Sequence, residues 1–199
     1  LPFAILNDSV FAYSRCVMLA LQSAGAAPDM VQIGNEINHG ILWPEGHINN
    51  MDSLAQLVNS GIRAVRSVNP RTPVMLHIAL GGQNDEARFF LDNMLVRGVS
   101  FDVIGLSYYP RWHNTLEDLG YNLDDLARRY DKDLVVVEYS QLKREVNDLA
   151  FNVANGHGKG TAIWEPLNTW EALFDKEGNA TSFLEVFDDL HKKFISSGK

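Results

Sequence analysis

Two glutamates stand at the ends of apolar, β-branched runs: Glu36 closes Met30-Val31-Gln32-Ile33-Gly34-Asn35-Glu36, and Glu138 closes Leu134-Val135-Val136-Val137-Glu138. A run of that kind, set between turn residues and polar residues, has the pattern of a parallel strand buried on both faces. Such strands present side chains at their C-terminal ends, where α/β barrels keep their chemistry. Carboxylates from two strand ends can divide one reaction between them, one donating a proton to a leaving oxygen and the other attacking as a nucleophile. Glycoside hydrolysis with retention works this way, with the carboxyl groups about 5–5.5 Å apart. The donor must be protonated at the working pH, which burial beside apolar groups favours; the nucleophile must be ionised, which hydrogen bonds and solvation favour. Read singly, either glutamate also fits the first solvated residue after a strand.

The residues around these glutamates suit a sugar. Asn35, next to Glu36, offers an amide donor, and His77 closes a third apolar run, Val74-Met75-Leu76-His77-Ile78-Ala79. His77 fits a substrate or acid/base contact and a buried structural histidine equally well. In Leu106-Ser107-Tyr108-Tyr109-Pro110, either Tyr108 or Tyr109 can orient Glu138 through its hydroxyl. Strand side chains alternate, so only one of the two faces the same side as the glutamate. Sugar rings present flat C–H faces that pack on aromatic platforms, and all four tryptophans, Trp43, Trp112, Trp164 and Trp170, lie at or after strand ends. Trp164 suits a platform under the reacting sugar, and the other three a continued groove. His39, His47 and His113, with Glu45 nearby, match no common zinc spacing; neither a catalytic metal nor a cofactor is expected.

The elements that would carry these residues repeat. A helical pattern over Asp8–Ala24 is followed by five strand–helix units. Helices are expected over Asp52–Val68, Asp85–Arg97, Thr115–Tyr130, about Lys143–Asn155 and about Thr181–Ile195, and strands over the runs already quoted, over Phe101–Pro110 and over Gly160–Pro166. In the first of these helices Leu54, Leu57, Val58, Ile62 and Val65 share one face. A full barrel has eight such units in about 250 residues. This chain has 199 and begins at a helix, so the pattern implies a partial (β/α)8 barrel.

Several motifs together carry a resemblance to a known family. The run Pro28-Asp29-Met30-Val31-Gln32-Ile33-Gly34-Asn35-Glu36-Ile37-Asn38-His39-Gly40 resembles the acid/base segment of glycoside hydrolase family 53, the arabinogalactan endo-β-1,4-galactanases. Met75-Leu76-His77-Ile78-Ala79, Phe101 to Trp112, Val136-Val137-Glu138-Tyr139-Ser140 and Trp164-Glu165-Pro166 resemble later motifs in the family's order. The resemblance implies family strands four to eight preceded by one helix, in a single domain over residues 1–199 that lacks the first three strands. It implies Glu36 as acid/base, Glu138 as nucleophile, and Asn35 as a donor to the sugar 2-hydroxyl. It also implies secretion, and β-1,4-galactan of plant pectin as substrate. Some family members hold calcium in the loop after the last strand; Asp175, Glu177 and Asn179 offer oxygens there, although a plain Gly178-centred turn explains them better. A noncatalytic, carbohydrate-binding remnant uses nearly the same residues. A barrel enzyme for phosphorylated metabolites is disfavoured by the lack of a Gly-rich phosphate loop.

Composition adds exclusions. A net charge of −8 disfavours nucleic acid and anionic membranes as partners. With 46% hydrophobic residues the chain can bury a core, and no run of membrane length is expected from the sequence. The single cysteine, Cys16, excludes an internal disulfide. An incomplete barrel would leave strand edges and an apolar face open, which predicts a homodimer or pairing with a chain that supplies the missing strands.

Overall fold

The computed structural model describes residues 1–167 and 170–196. Strand and helix alternate along the chain, which divides into two compact units: Leu1–Ile78 with Asp85–Ile104, and Ala79–Asn84 with Gly105–Lys199.

The first unit contains α1 (Phe3–Ser23), β1 (Val31–Ile33), α2 (Met51–Val68), β2 (Val74–Ile78) and most of α3 (Asn84–Val96). β1 and β2 are parallel, with Val31 opposite Val74 and Ile33 opposite Leu76. Every residue of β2 is buried, as a parallel strand covered on both faces requires. The stripe Leu54, Leu57, Val58, Ile62 and Val65 is buried on α2, as its spacing implies. Gly61, inside that helix, permits close approach to β1: a Cβ there would lie 3.1 Å from the Ile33 side chain. The Asp102 carboxylate accepts from the Val74 amide at 2.8 Å and from Arg66 at 3.3 Å, so the start of β2 is satisfied by a side chain.

α1 departs from the expectation at its start and in its exposure. It begins at Phe3 rather than Asp8, and its 21 residues are long and apolar enough, by length and composition alone, to cross a membrane. Asp8 and Arg15 interrupt the apolar run without abolishing it, which hides its length in the sequence. One side packs on α2, where Ser60 Oγ donates to Asn7 Oδ1 at 2.7 Å and Met18 is buried. Tyr13, Val17 and Leu21, which recur along one face of the helix, are exposed.

The second unit holds most of β3 (Val103–Tyr108), then α4 (Leu116–Tyr130), β4 (Asp133–Tyr139), α5 (Lys143–Phe151), β5 (Gly158–Ile163) and α6 (Ser182–Leu190). β3, β4 and β5 are hydrogen-bonded neighbours in that order, and β4 runs parallel to β5 with Leu134 opposite Gly158 and Tyr139 opposite Ile163. α4 starts at a capping box in which Thr115 Oγ1 accepts from the Asp118 amide and the Asp118 carboxylate accepts from the Thr115 amide. The Thr115 hydroxyl, donating to the Asp118 carboxylate at 2.6 Å, and the Thr115 amide together hold the Asp118 carboxyl below its ordinary pKa. α5 is shorter than expected: it stops at Phe151, and Asn155 and Gly156 take left-handed conformations before β5 begins.

Candidate active site

In the first unit the site residues sit on the turn after β1 and on β2. The extended run ends at Ile33, three residues earlier than the sequence implied. Gly34 has φ +76°, and a Cβ on it would run into the Ile37 side chain, so only glycine turns the chain here. Glu36 follows in the left-handed region, φ 48° and ψ 50°, leading into the 3-10 turn Ile37–His39. Glu36 is therefore carried on a tight turn beyond the strand, half-buried. A non-glycine residue held there costs on the order of 1–3 kcal/mol, and such positions cluster at functional sites.

His77 lies within β2 and is 1% exposed. Its Nδ1 is 3.1 Å from Asn35 Oδ1, which also accepts from Gln32 Nε2 at 3.3 Å. Because that amide oxygen only accepts, the neutral imidazole carries its proton on Nδ1. The Asn35 amide is thereby turned with its Nδ2 as the donor end. Burial pushes the His77 pKa down, against the opposing pull of the Glu36 charge. Trp43 belongs to a separate aromatic pair: it is 61% exposed, donates through Nε1 to the His39 carbonyl and meets the His47 ring edge-on at 4.5 Å. His47 Nδ1 accepts from the Asn49 amide, so this ring caps a turn.

In the second unit alternation along β3 settles which tyrosine meets the glutamate. Tyr108 is the last strand residue, 1% exposed, and its hydroxyl donates to the Asn114 carbonyl at 3.3 Å. Burial and the Asp118 charge raise its pKa. Tyr109 points the other way and donates to Glu138 Oε1 at 2.8 Å. Glu138 occupies the next-to-last position of β4. Behind β4, Asn147 Nδ2 donates to the Tyr139 hydroxyl at 2.8 Å and Thr161 Oγ1 to Asn147 Oδ1 at 2.9 Å, a buried network that stiffens the strand.

Tyr109 is also the centre of an aromatic group. Its ring lies 5.9 Å from Trp112, 5.9 Å from His113, and 6.4 Å from each of Trp164 and Trp170, while Trp112 and Trp170 meet at 6.1 Å. These spacings and tilts suit edge-to-face contacts. Trp112, Trp164 and Trp170 remain about half exposed, which leaves indole surface for a ligand. His113 Nδ1 accepts from the Tyr109 amide at 3.1 Å, and the Trp112 and His113 amides both donate to the Tyr109 carbonyl. Gln83 Nε2 donates to the Trp112 carbonyl at 2.8 Å. Nothing in the sequence marks these roles for His113 and Gln83, since one turn histidine or glutamine looks like another. The acidic loop is a turn: Asp175 accepts from the amides of Glu177 and Asn179 and from Asn179 Nδ2, bonds that lower its pKa.

Comparison with known proteins gives this arrangement a lineage. The family model "Glycosyl hydrolase family 53" matches residues 2–162. The chain is 29% identical to an arabinogalactan endo-beta-1,4-galactanase of Thermothelomyces thermophilus, covering 93% of this chain and 69% of that protein. An uncharacterized protein of Niallia circulans is 46% identical over 69% of this chain and 40% of its own length. The solved GH53 catalytic domain of Ignisphaera aggregans superposes with a TM-score of 0.87 at 30% identity, over 94% of this chain and 66% of that domain. The chain thus spans 40% of one curated relative and about two thirds of the others named. Its fold is of the (β/α)8-barrel class, represented by five parallel strands alternating with helices. With the family model matched over most of its length, the chain belongs to glycosyl hydrolase family 53.

Proposed function

We propose that the protein containing this chain hydrolyses β-1,4-galactosidic bonds within galactan or arabinogalactan with retention, using Glu138 as nucleophile and Glu36 as acid/base. The observation that carries this reading is the Tyr109 hydroxyl donating to Glu138 at 2.8 Å among three half-exposed tryptophans. A phenol held there orients the carboxylate and favours its ionised form. In the first step a Glu138 oxygen attacks the anomeric carbon, the glycosidic C–O bond breaks, and Glu36 gives its proton to the departing oxygen. In the second, water loses a proton to Glu36 and attacks the same carbon, releasing Glu138. Asn35 Nδ2, aimed by His77, donates to the 2-hydroxyl. Trp164 stacks under the reacting sugar, and Trp112, Trp170 and Trp43 offer further sugar contacts. A polymeric plant substrate of this kind implies action outside the cytoplasm.

The test is reducing-sugar release from β-1,4-galactan by the full-length protein and by Glu138→Gln. The variant keeps the size of the side chain but cannot form the glycosyl ester, and should lose at least about a thousand-fold in rate while folding normally. A variant near wild-type activity would refute the nucleophile assignment. Wild-type protein that binds galactan without cleaving it would favour a noncatalytic binding role.

A further inference from the structure

Lys143, at the start of α5, is buried to 1% of its side chain. Among the described residues no other lysine or arginine, and no carboxylate, is so enclosed. Its three N–H bonds are all used: Nζ lies 2.6 Å from the Ser140 carbonyl, 2.7 Å from the Glu171 carbonyl and 3.3 Å from Glu171 Oε2. The Phe183 ring lies 5.1 Å from the ammonium. The Glu171 carboxylate also accepts from the Leu142 amide at 3.1 Å. Ser140 comes two residues after Glu138, and Glu171 directly follows Trp170. One ammonium therefore ties the end of β4 to the loop that carries an exposed indole.

A buried ion pair is expensive to desolvate and is often no more stabilising than an apolar replacement of the same volume. What it adds here is direction, since three bonds to two chain segments fix Glu171 against the end of β4. The loop needs that constraint because Glu171 holds a left-handed φ of 58°. Farther on, the Leu173 amide donates to the Pro166 carbonyl and Thr181 Oγ1 to the Ala172 carbonyl. Burial pushes the Lys143 pKa down and the Glu171 charge opposes it, consistent with an ammonium kept charged by its partner.

We propose that Lys143 and Glu171 form a clasp that fixes Trp170 against Trp112 and Tyr109, and so sets the affinity for a galactan unit stacked on those indoles outside the bond being cleaved. This rests on the galactanase reading above. Lys143 touches no substrate and is a positioning residue.

The test uses full-length protein with Lys143→Met, which keeps the aliphatic stem, and Glu171→Gln, whose position is 25% exposed and tolerates change if the lysine variant does not fold. Amide exchange over residues 170–173 should rise about tenfold in either variant as the loop opens. KM for galactan should rise about tenfold, the size of one lost stacking contact, with kcat within about threefold. Hydrolysis of a short activated aryl galactoside should be unchanged, and Trp170→Ala should reproduce the rise in KM. Unchanged exchange in a folded variant overturns the clasp, whatever the activity. Faster exchange with an unchanged galactan KM, or an equal loss of kcat on both substrates, overturns its role in substrate affinity. Wild-type protein inactive on galactan overturns that role together with the galactanase reading, while exchange still judges the clasp by itself.

Discussion

Glu138 and Glu36 are held by different means, and the difference suits different tasks. Glu138 sits inside a hydrogen-bonded strand with the Tyr109 phenol on one oxygen, an environment that keeps a carboxylate aimed. Glu36 rides on a left-handed turn after Gly34, where the chain departs from the strand to present it. If Glu36 donates a proton to the leaving group, its removal should matter in proportion to how badly that group needs one. Glu36→Ala is expected to slow galactan cleavage by about 10²–10⁴-fold and an activated aryl galactoside by less than about tenfold. Equal losses on the two substrates would mark Glu36 as structural. His77 makes a separate prediction. Its folded pKa is depressed by burial, so as pH falls through about 6.5 the unfolded chain takes up a proton that the folded chain refuses, and stability falls. In urea unfolding between pH 7.5 and 5, His77→Gln should show a shallower loss of stability than wild type; identical slopes would contradict a neutral His77.

The same contrast between pattern and geometry runs through the elements. The helical stripe of α2 was legible because five apolar residues at three- and four-residue spacing admit one amphipathic helix, and all five are buried. Gly61 in the middle of that stripe has a physical reason that a sequence does not display, the close approach of Ile33. Gly61→Val should overpack this contact and lower stability by about 1–3 kcal/mol, read as a lower urea midpoint at unchanged slope. A midpoint equal to or above wild type would remove that reason. The strand readings were right in type and wrong at their ends. β1 stops at Ile33 because Gly34 turns left-handed, and a glycine in an apolar run does not announce its φ. Alternation implied that only one of Tyr108 and Tyr109 faces Glu138, but not which; the choice needed the strand's end point. Lys143 was illegible for another reason. A lysine opening a helix normally reads as solvated, and only tertiary packing around Glu171 and Phe183 makes it a buried anchor.

At the scale of the molecule, the 29–46% identity to relatives and the family match fix the lineage, while the chemistry depends on a few side chains. A net charge of −8 agrees with the neutral polysaccharide proposed as substrate better than with a polyanion. The proposed reaction requires that Glu138 bond covalently to the sugar during turnover. The direct measurement is mass spectrometry of full-length protein treated with an activated 2-deoxy-2-fluoro-β-galactobioside, whose fluorine slows both steps while its leaving group restores only the first. One added disaccharide unit per protein is expected, released on slow turnover and mapped to the peptide bearing Glu138. No adduct in protein that cleaves galactan, or an adduct on another residue, would contradict it.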